Sequence, residues 1–314
     1  MDRARIWYNL RVNFKYEPVI YYDDPDRKVV NLCAEGVPFI PLASRTLCRY
    51  TRDSPGLHVH KGLGEIVYCV RGALSFETPE KIWPFLPGDV FVSGPDEPHT
   101  MRINLKGAFV YRLLVAWPGK GRALPGLTAD ETSAVVKTLG NGSRRLFVGG
   151  PSIKSAFERL FRLYEDRSGD SAVRGMRLRA CALEILLACA DAAMRARERF
   201  VPRVVQKWIE RMANEPDADF DIDEMANDAK LAPQCFRSVF KNATGLPVHA
   251  YLMLCRIEGA KELVRCRPNM SLLAVSQRFR FSSAPHFAAS FKRIAGKTFT
   301  EYVKSLAKET KYPT

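Results

Sequence analysis

Residues 236–251, FRSVFKNATGLPVHAY, recur fifty-one positions later as residues 287–302, FAASFKRIAGKTFTEY. The two segments share a Phe-x3-Phe-Lys sequence, a glycine four residues after the lysine and a tyrosine six residues after the glycine. Residues at i and i+4 lie on one face of a helix, and glycine is the residue that most often ends a helix. Because a repeat at fixed spacing indicates one structural unit used twice, we predict two short amphipathic helices, each ended by its glycine.

A second, shorter helix is predicted before each copy. Apolar residues with helical spacing occur at Ile222 and Met225 before the first copy and at Leu272 and Val275 before the second. A tight turn follows in both places, and a proline, Pro233 or Pro285, then stands where the next helix opens. The pattern predicts two helix-turn-helix units, in each of which the first helix braces the second. The second helix of such a unit enters the major groove of DNA.

The charge distribution favours an anionic partner. The chain has a formal net charge of +14, and residues 230–297 contain 12 Lys/Arg against only Glu258 and Glu262. An acidic stretch, residues 217–228, lies just upstream. A basic face with no partner is the alternative, but together with the repeat the charge predicts nucleic acid.

Residues 200–306 resemble the DNA-binding domain of the AraC/XylS transcription regulators. The resemblance rests on residues 231–263, LAPQCFRSVFKNATGLPVHAYLMLCRIEGAKEL, and on the second copy up to Tyr302. It implies that a linking helix around 249–265 joins the two units and that they reach successive major grooves of double-stranded promoter DNA. It also implies a small-molecule effector, a homodimer, RNA polymerase as a partner, and no enzymatic activity. Positions that match the family's DNA-contacting sites are Gln234, Arg237, Ser238 and Lys241 in copy one, and Ala284, Pro285, His286, Ala288, Ala289, Lys292 and Arg293 in copy two.

The two copies differ on their predicted DNA-facing side. Arginine and glutamine make bidentate contacts to guanine and adenine, whereas alanine and proline offer little beyond contact with a thymine methyl. We therefore predict that copy one recognises bases and that copy two mainly holds phosphate through Lys292 and Arg293. Both turns also depart from the family, because Lys230 and Arg280 stand where glycine is usual. At positive φ these residues are strained, and their side chains are predicted to contact phosphate.

Residues 1–118 have short alternating apolar segments separated by turn sequences, which predicts an all-β barrel or sandwich. His58-x-His60-x4-Glu65-x6-Gly72 resembles the first motif of a cupin barrel, and residues 86–90 with His99 and Asn104 resemble the second. Such a cupin-like effector-sensing barrel brings His58, His60, Glu65 and His99 together. Three imidazoles and a carboxylate suit a divalent ion such as Mn, Fe, Ni, Cu or Zn.

The same side chains equally line a polar pocket without metal. We expect the effector cavity at the mouth of the barrel, with Arg45, Tyr68 and Trp83 as further lining residues. Aromatic and polar groups together suit a sugar or another small metabolite. Two other functions stay open: a metal-dependent cupin enzyme (an oxygenase or isomerase) fused to a DNA-binding domain, and an architectural DNA binder that responds to no ligand.

Residues 119–200 change to helical periodicity and are predicted to form a linker or dimerisation region before the all-α domain at 201–314. An apolar stripe with spacing 4,3,4,3,4 fits self-association across a two-fold axis or packing on the chain's own barrel. Its members are Met176, Ala180, Leu183, Leu187, Ala190 and Met194.

The chain has no apolar run long enough for a membrane span and no signal-peptide pattern at its start, so we expect a cytoplasmic protein. Its eight cysteines form no C-x-x-C pair and are predicted to be reduced thiols in the core.

Overall fold

The structure, a computed structural model, describes residues 26–48, 57–72, 74–80, 82–104, 107–140, 145–196 and 201–309. The chain divides into two compact units, with the boundary between residues 199 and 200. Two of the turn sequences that separate the predicted strands, Asp-Asp-Pro at 23–25 and Ser-Pro-Gly at 54–56, lie outside the described residues. Residues 119–196 belong to the same unit as the strands, so the separate status of a 119–200 region stays a prediction.

Nine strands are described in the N-terminal unit. They are β1 (Arg27–Asn31), β2 (Leu42–Leu47), β3 (Gly64–Arg71), β4 (Leu74–Glu77), β5 (Ile82–Phe85), β6 (Asp89–Ser93), β7 (Thr100–Asn104), β8 (Phe109–Val115) and β9 (Leu146–Val148). Six of them form a sheet in the order β1-β2-β8-β3-β6-β9, and three form a sheet in the order β5-β4-β7. The described strands therefore form two sheets and no closed barrel. The strand β9 pairs antiparallel with β6 and forms one edge of the larger sheet.

The two faces of the six-stranded sheet contact different layers, because side chains alternate along each strand. One face, with Ile66 and Leu113, packs against helices α2 (Pro151–Glu165) and α3 (Ser171–Arg195). The opposite face, with Val67 and Phe91, packs against the small sheet. Helix α1 (Ala129–Val135) and a π-helical turn (Val136–Gly140) precede β9. The buried polar residues Ser44, Glu65 and Ser93 lie on the second face of the sheet.

The apolar stripe predicted on α3 is not the side that packs on the sheet. Met176, Leu187 and Met194 are 52%, 40% and 63% exposed, and Ala190 alone of the stripe is buried. The buried side consists of other residues, among them Leu178, Cys181, Ala182, Ile185, Leu186 and Cys189. Four of its six residues, Met176, Ala180, Leu187 and Met194, are therefore exposed, whereas Leu183 is half-buried against the core of the unit.

The C-terminal unit is helical, as predicted. Its helices are α4 (Arg203–Asn214), α5 (Ile222–Asp228), α6 (Pro233–Thr244), α7 (Val248–Cys266), α8 (Leu272–Arg278), α9 (Ala284–Ala295) and α10 (Phe299–Glu309). The pairs α5–α6 and α8–α9 are the two copies of the repeat, and α7 connects them. Among the described residues, no helix is long and apolar enough to cross a membrane.

The duplicated residues form equivalent parts of the two helix pairs. Phe236 and Phe240 are fully buried in copy one, as are Phe287 and Phe291 in copy two. Gly245 and its counterpart Gly296 end their helices with φ of 74° and 75°, which favours glycine because it lacks a Cβ. The repeat therefore encodes core packing and helix ends.

The cysteines depart in part from the prediction. All eight are free, but Cys235 and Cys266 are exposed and Cys33 is half-buried. Cys235 is exposed because its neighbour Phe236 occupies the buried side of α6.

Candidate functional site

Three histidines come together in the N-terminal unit, as predicted. The ring centroids of His58, His60 and His99 lie 5.0 to 5.3 Å apart. One nitrogen of each ring lies within 4.8 Å of the others. A backbone bridge holds the two segments in place: His58 N donates to His99 O at 3.1 Å, and His99 N donates to His58 O at 3.0 Å. The cluster therefore rests on paired backbone rather than on a free loop.

Glu65 joins the histidine cluster from β3, and an arginine that the motif did not indicate joins it from β8. The Glu65 carboxylate lies 2.8 Å from Arg112 Nε, 3.1 Å from His99 Nε2 and 3.7 Å from His60 Nε2. Burial raises the pKa of Glu65, but the Arg112 charge, the hydrogen bond to His99 and the nearby His60 outweigh it, so the pKa is held well below its usual value. Glu65 is therefore an ionised carboxylate shared between a guanidinium and the imidazoles.

The orientation of His99 is defined by the backbone. Its Nδ1 lies 2.8 Å from the carbonyl oxygen of Glu97, which only accepts, so Nδ1 carries a hydrogen and donates it. Its Nε2 therefore points at Glu65. Burial lowers the pKa of His99, and the hydrogen bond and charge of Glu65 outweigh this, so the pKa is raised. Metal-binding histidines usually donate one ring N–H to a carbonyl or carboxylate oxygen and direct the other nitrogen at the ion. His99 has this arrangement, with Nδ1 on the Glu97 carbonyl oxygen and Nε2 facing the cluster.

The donor set fits a first-row divalent ion. His58, His60 and His99 each direct one nitrogen into a common space, and Glu65 supplies the only described carboxylate within reach of two of them. One oxygen of Glu65 also contacts Arg112, so an ion at this place would share that carboxylate with a guanidinium.

Arg45 and Tyr68, predicted to line the pocket, are not brought to the histidines. Both lie on the face of the sheet that packs on α2. Arg45 pairs with Glu165 at 2.8 Å, and the Tyr68 ring stacks on Phe157. The physical reason is strand alternation: Tyr68 is three residues from Glu65 and so points to the opposite face. The histidine cluster therefore does not include these two residues, and their role in lining an effector pocket stays a prediction.

Trp83, also predicted to line the pocket, packs in the core between the two sheets. It contacts the ring of Phe91, and its indole Nε1 donates to Thr78 Oγ1 at 3.3 Å. Arg112 was the residue that sequence reasoning missed. A lone arginine within the apolar strand FVYRLLV was the signal that pointed to a buried ionic partner.

Polar groups without partners lie on the same face of the sheet as Glu65. The hydroxyls of Ser44, Thr46 and Ser93 are buried and have no hydrogen-bond partner among the described residues. Ser44 and Arg112 stand opposite each other in the β2–β8 register and line a narrow cleft with apolar neighbours. Since buried hydroxyls are normally hydrogen-bonded, the hydrogen-bonding capacity of these three groups is left unused by the described residues.

In the C-terminal unit, the predicted DNA-contacting residues of copy one lie together on α6. Gln234, Arg237, Ser238 and Lys241 are all exposed, while Phe236 and its i+4 neighbour are buried on the opposite side. The exposed side of α6 therefore carries amide, guanidinium, hydroxyl and ammonium donors.

The corresponding side of α9 is smaller and less polar. Pro285, His286, Ala289, Lys292 and Arg293 are exposed, whereas Ala284 and Ala288 are half-buried. His286 is held at the helix start, where its Nδ1 lies 2.9 Å from Ser282 Oγ and its ring meets the edge of Phe281. Lys292 and Arg293 are the cations of this surface.

Both unusual turn residues have positive φ, as predicted. The values are 54° for Lys230 and 55° for Arg280, where a side chain costs about 1 kcal/mol relative to glycine. The Arg280 side chain, however, does not extend freely toward a phosphate. Its Nε donates to the carbonyl oxygen of Asp217 at 2.8 Å, and a terminal nitrogen lies 3.5 Å from Asp219. The prediction for Arg280 is therefore corrected: it contacts an acidic loop of its own chain.

Two family profiles match the chain. The profile described as an AraC-like ligand binding domain matches residues 45–180, and a helix-turn-helix domain profile matches residues 225–305. The second range includes both copies of the repeat. The histidine cluster and the exposed sides of α6 and α9 thus lie in different matched regions.

Two curated relatives match over a limited length. The chain is 34% identical over 79 residues to the probable transcriptional regulator LumQ of Photobacterium leiognathi. It is 29% identical over 85 residues to the HTH-type transcriptional regulator MtrA of Neisseria gonorrhoeae. These matches cover 25% and 27% of this chain, and 32% and 28% of the relatives, so the chain spans about a third of the curated proteins it matches.

Solved structures match with low scores. ToxT from Vibrio cholerae aligns over 89% of this chain and 98% of its own, at 8% identity and a TM-score of 0.32. The DNA-binding domain of AdpA, in complex with a target DNA, aligns over 36% of this chain and 96% of its own, at 21% identity and a TM-score of 0.30. Superpositions at these scores add nothing to the assignment.

Proposed function

Because the chain belongs to the AraC family of transcriptional regulators, we propose that it is a ligand-responsive regulator that binds promoter DNA through both helix pairs. The observation that carries the proposal is the exposed side of α6, where Gln234, Arg237 and Ser238 stand on a helix braced by α5. Each helix pair is a helix-turn-helix unit, and α6 and α9 are the helices that enter the major groove. The effector acts by binding one arrangement of the protein more tightly than the other.

The two helix-turn-helix units have different roles in DNA binding. Arg237 and Gln234 on α6 supply base-specific contacts, whereas Lys292 and Arg293 on α9 hold phosphate. The short side chains at the start of α9 support this division, since Pro285 and Ala289 carry no donor.

Arg237→Ala is expected to weaken binding to the preferred DNA site by about 10–100-fold, because one bidentate base contact is worth about 1–3 kcal/mol. Selection from random duplexes, followed by fluorescence anisotropy, measures both affinity and base preference. The preference at one base position is expected to relax at the same time. Lys292→Ala is the matched control: it is expected to weaken binding to all sequences alike. The proposed division of roles between α6 and α9 is wrong if neither Arg237→Ala nor Ala289→Arg changes the base preference.

The ligand site of the N-terminal unit is the histidine cluster. A divalent ion there would be held by His58, His60 and His99 with Glu65, and when bound it would supply a Lewis-acidic centre for an oxygen- or nitrogen-bearing effector. Ser44 and Ser93 offer hydroxyls on the same face of the sheet. A small polar metabolite, such as a sugar, is the effector class that these groups suit.

His58→Ala is expected to weaken the binding of Co²⁺ by at least about 10–100-fold. Mutation of a residue that only hydrogen-bonds to a metal ligand already causes a loss of that size, so removing a ligand is expected to cost no less. Titration of the full-length protein with Co²⁺, followed by the visible absorption of the bound ion, measures the affinity. His249→Ala is the control because His249 is exposed on α7. An unchanged cobalt spectrum in His58→Ala excludes the cluster as a metal site.

A metal-dependent enzyme is the second candidate, and the same donor cluster favours it. The two functions differ in what His99→Ala changes. Loss of turnover of an oxygenase or isomerase substrate with an unchanged DNA response supports the enzyme. Loss of the ligand's effect on DNA binding supports the regulator.

We propose that α3 is the homodimer contact, because its exposed residues Met176, Ala180, Leu187 and Met194 follow one another at intervals of 4, 7 and 7 residues, which fits pairing with a second copy of the helix. Leu187→Glu is expected to shift the protein from dimer to monomer in sedimentation velocity, because it places a charge in the centre of an apolar contact. Arg177→Glu, an exposed site outside the stripe, is expected to leave the dimer intact. A dimer that survives Leu187→Glu excludes this face.

A further inference from the structure

The loop between α4 and α5, residues 215–221, contacts the second helix pair although it precedes the first. Its backbone carbonyls accept hydrogen bonds from Arg256 of α7. Arg256 is almost fully buried, and its guanidinium donates to Pro216 O at 3.2 Å and to Ala218 O at 3.5 Å. The same guanidinium donates to the carbonyl oxygen of Arg280 at 3.3 Å. One buried side chain thus connects this loop to the turn between α8 and α9.

Side chains at the turn between α8 and α9 also contact the loop at residues 215–221. Arg280 Nε donates to Asp217 O at 2.8 Å, and its terminal nitrogen lies 3.5 Å from an Asp219 oxygen. Arg278, at the end of α8, lies 2.7 Å from the carboxylate of Asp217. The acidic stretch of the sequence therefore has a partner within the chain.

An apolar contact lies beside these polar ones. Gly259 of α7 stands between Pro216 of the loop and Phe279 of the turn. A Cβ at Gly259 would lie 2.8 Å from Pro216 Cγ and 2.7 Å from Phe279 Cε1, so any larger residue would separate them. Among the residue types, glycine is therefore the one that fits at position 259 without moving the loop or the turn.

The first helix pair provides an internal comparison. Lys230 occupies the same turn position as Arg280, with nearly the same φ, and both residues are exposed, but the Lys230 side chain has no hydrogen bond or ion pair among the described residues. The backbone of this turn is more easily adopted by glycine in both copies. Only Arg280 has contacts that offset the strain, which indicates a role for its side chain beyond the turn.

We propose that residues 215–221, together with Arg256 and Arg280, form a clamp that fixes the second helix pair relative to the first, so that α6 and α9 meet DNA at one spacing. The proposal rests on the proposed DNA-binding function. Arg256 and Arg280 are positioning residues in it: they act through the placement of α9 and not by contacting bases.

The clamp predicts a defined dependence on spacing. Two linked binding units gain about 10²–10⁴ in affinity only when the geometry lets both engage at once. Inserting or deleting one base pair between the two contacted segments of DNA is therefore expected to weaken wild-type binding by about 100-fold or more. Without the clamp contacts, α9 can move relative to α6 and reach DNA at the altered spacing. The loss of affinity caused by one inserted or deleted base pair then becomes smaller.

Arg280→Gly and Lys230→Gly form the test, since both relieve the same backbone strain and only the first removes clamp contacts. Full-length protein is used with a duplex selected by the wild type from random DNA, and with its variants carrying one inserted or deleted base pair. We expect Lys230→Gly to keep the wild-type spacing penalty and Arg280→Gly to reduce it below about tenfold. Arg280→Lys, which retains a cation near Asp219, is expected to restore part of it.

The outcomes separate the two proposals. An identical spacing penalty in the wild type and in Arg280→Gly overturns the clamp and leaves the DNA-binding function standing. Failure of the wild type to select any duplex overturns both. Asp219→Asn provides a second variant on the other side of the contact, and it is expected to reduce the penalty in the same direction as Arg280→Gly.

Discussion

Glu65→Leu is expected to lower the free energy of unfolding of the N-terminal unit by about 3–5 kcal/mol, because it leaves a buried charge without its partner. The Glu65 side chain is 3% exposed and Arg112 is 14% exposed, and their atoms are 2.8 Å apart. Removing the carboxylate also removes an acceptor from His99. Hydrogen exchange resolved to peptides from residues 57–115 measures this loss in the unit that contains the pair.

The double variant Glu65→Leu with Arg112→Met separates charge from packing. Replacing both members of a buried ion pair by apolar residues is often neutral or stabilising, so the double variant is expected to be more stable than Glu65→Leu alone. Arg112→Met alone also removes the cation that shares the carboxylate, so it is expected to bind Co²⁺ more tightly than the wild type. A double variant as unstable as the sum of the two single variants contradicts the pairing.

Phe291→Ala is expected to destabilise the C-terminal unit by about 3–5 kcal/mol, the range measured for truncating a buried aromatic side chain. Its ring is fully buried against Phe287, Phe299 and Tyr302, with centroids 5.5 to 5.6 Å away. Local opening of α9 and loss of the affinity contributed by the second helix pair are expected to accompany this loss. Urea unfolding followed by hydrogen exchange of residues 201–309 gives the stability, and DNA binding gives the functional effect.

The first copy supplies the comparison for Phe291. Phe240, its counterpart, has the rings of Phe236 and Tyr251 beside it, and Val248 stands in the sequence where copy two has Phe299, so Phe240→Ala is expected to cost less than Phe291→Ala. Phe291→Leu is the conservative control, and it is expected to cost less than either truncation because most of the buried volume is kept. Equal losses for Phe291→Ala and Phe291→Leu would mean that the buried volume at this position is not what stabilises the unit. Protection of the N-terminal unit should not change in any of these variants.

The C-terminal unit was predictable in most of its parts because its signals are local. Helix periodicity, prolines at helix starts and the glycines at 245 and 296 act within one or two turns of chain. The exposure of Arg237 and the burial of Phe240 both follow from one periodicity. The positive φ of Lys230 and Arg280 followed from the departure from glycine.

The candidate ligand site was predictable only where a motif described it. His58, His60, Glu65 and His99 were identified from the resemblance to cupin motifs, but Arg45 and Tyr68, predicted to line the same pocket, lie on the opposite face of the sheet. Arginine and tyrosine are residue types that often line a pocket. The sequence did not reveal where each strand begins, and so it did not reveal which of the alternating side chains point inward. A single shift of register moves every side chain to the other face.

The sequence by itself determined the helices, the turns and the side chains that the helices of the repeat expose, because these depend on neighbours three to six residues apart. Only the tertiary structure decided the partners of the charged groups. Arg112 lies forty-seven positions from Glu65, and Arg280 lies sixty-three positions from Asp217, so each pair meets through strand register or loop packing that no local spacing encodes. The repeat therefore defines two similar helix pairs. The contacts between distant parts of the chain form the proposed clamp at the second pair and not at the first.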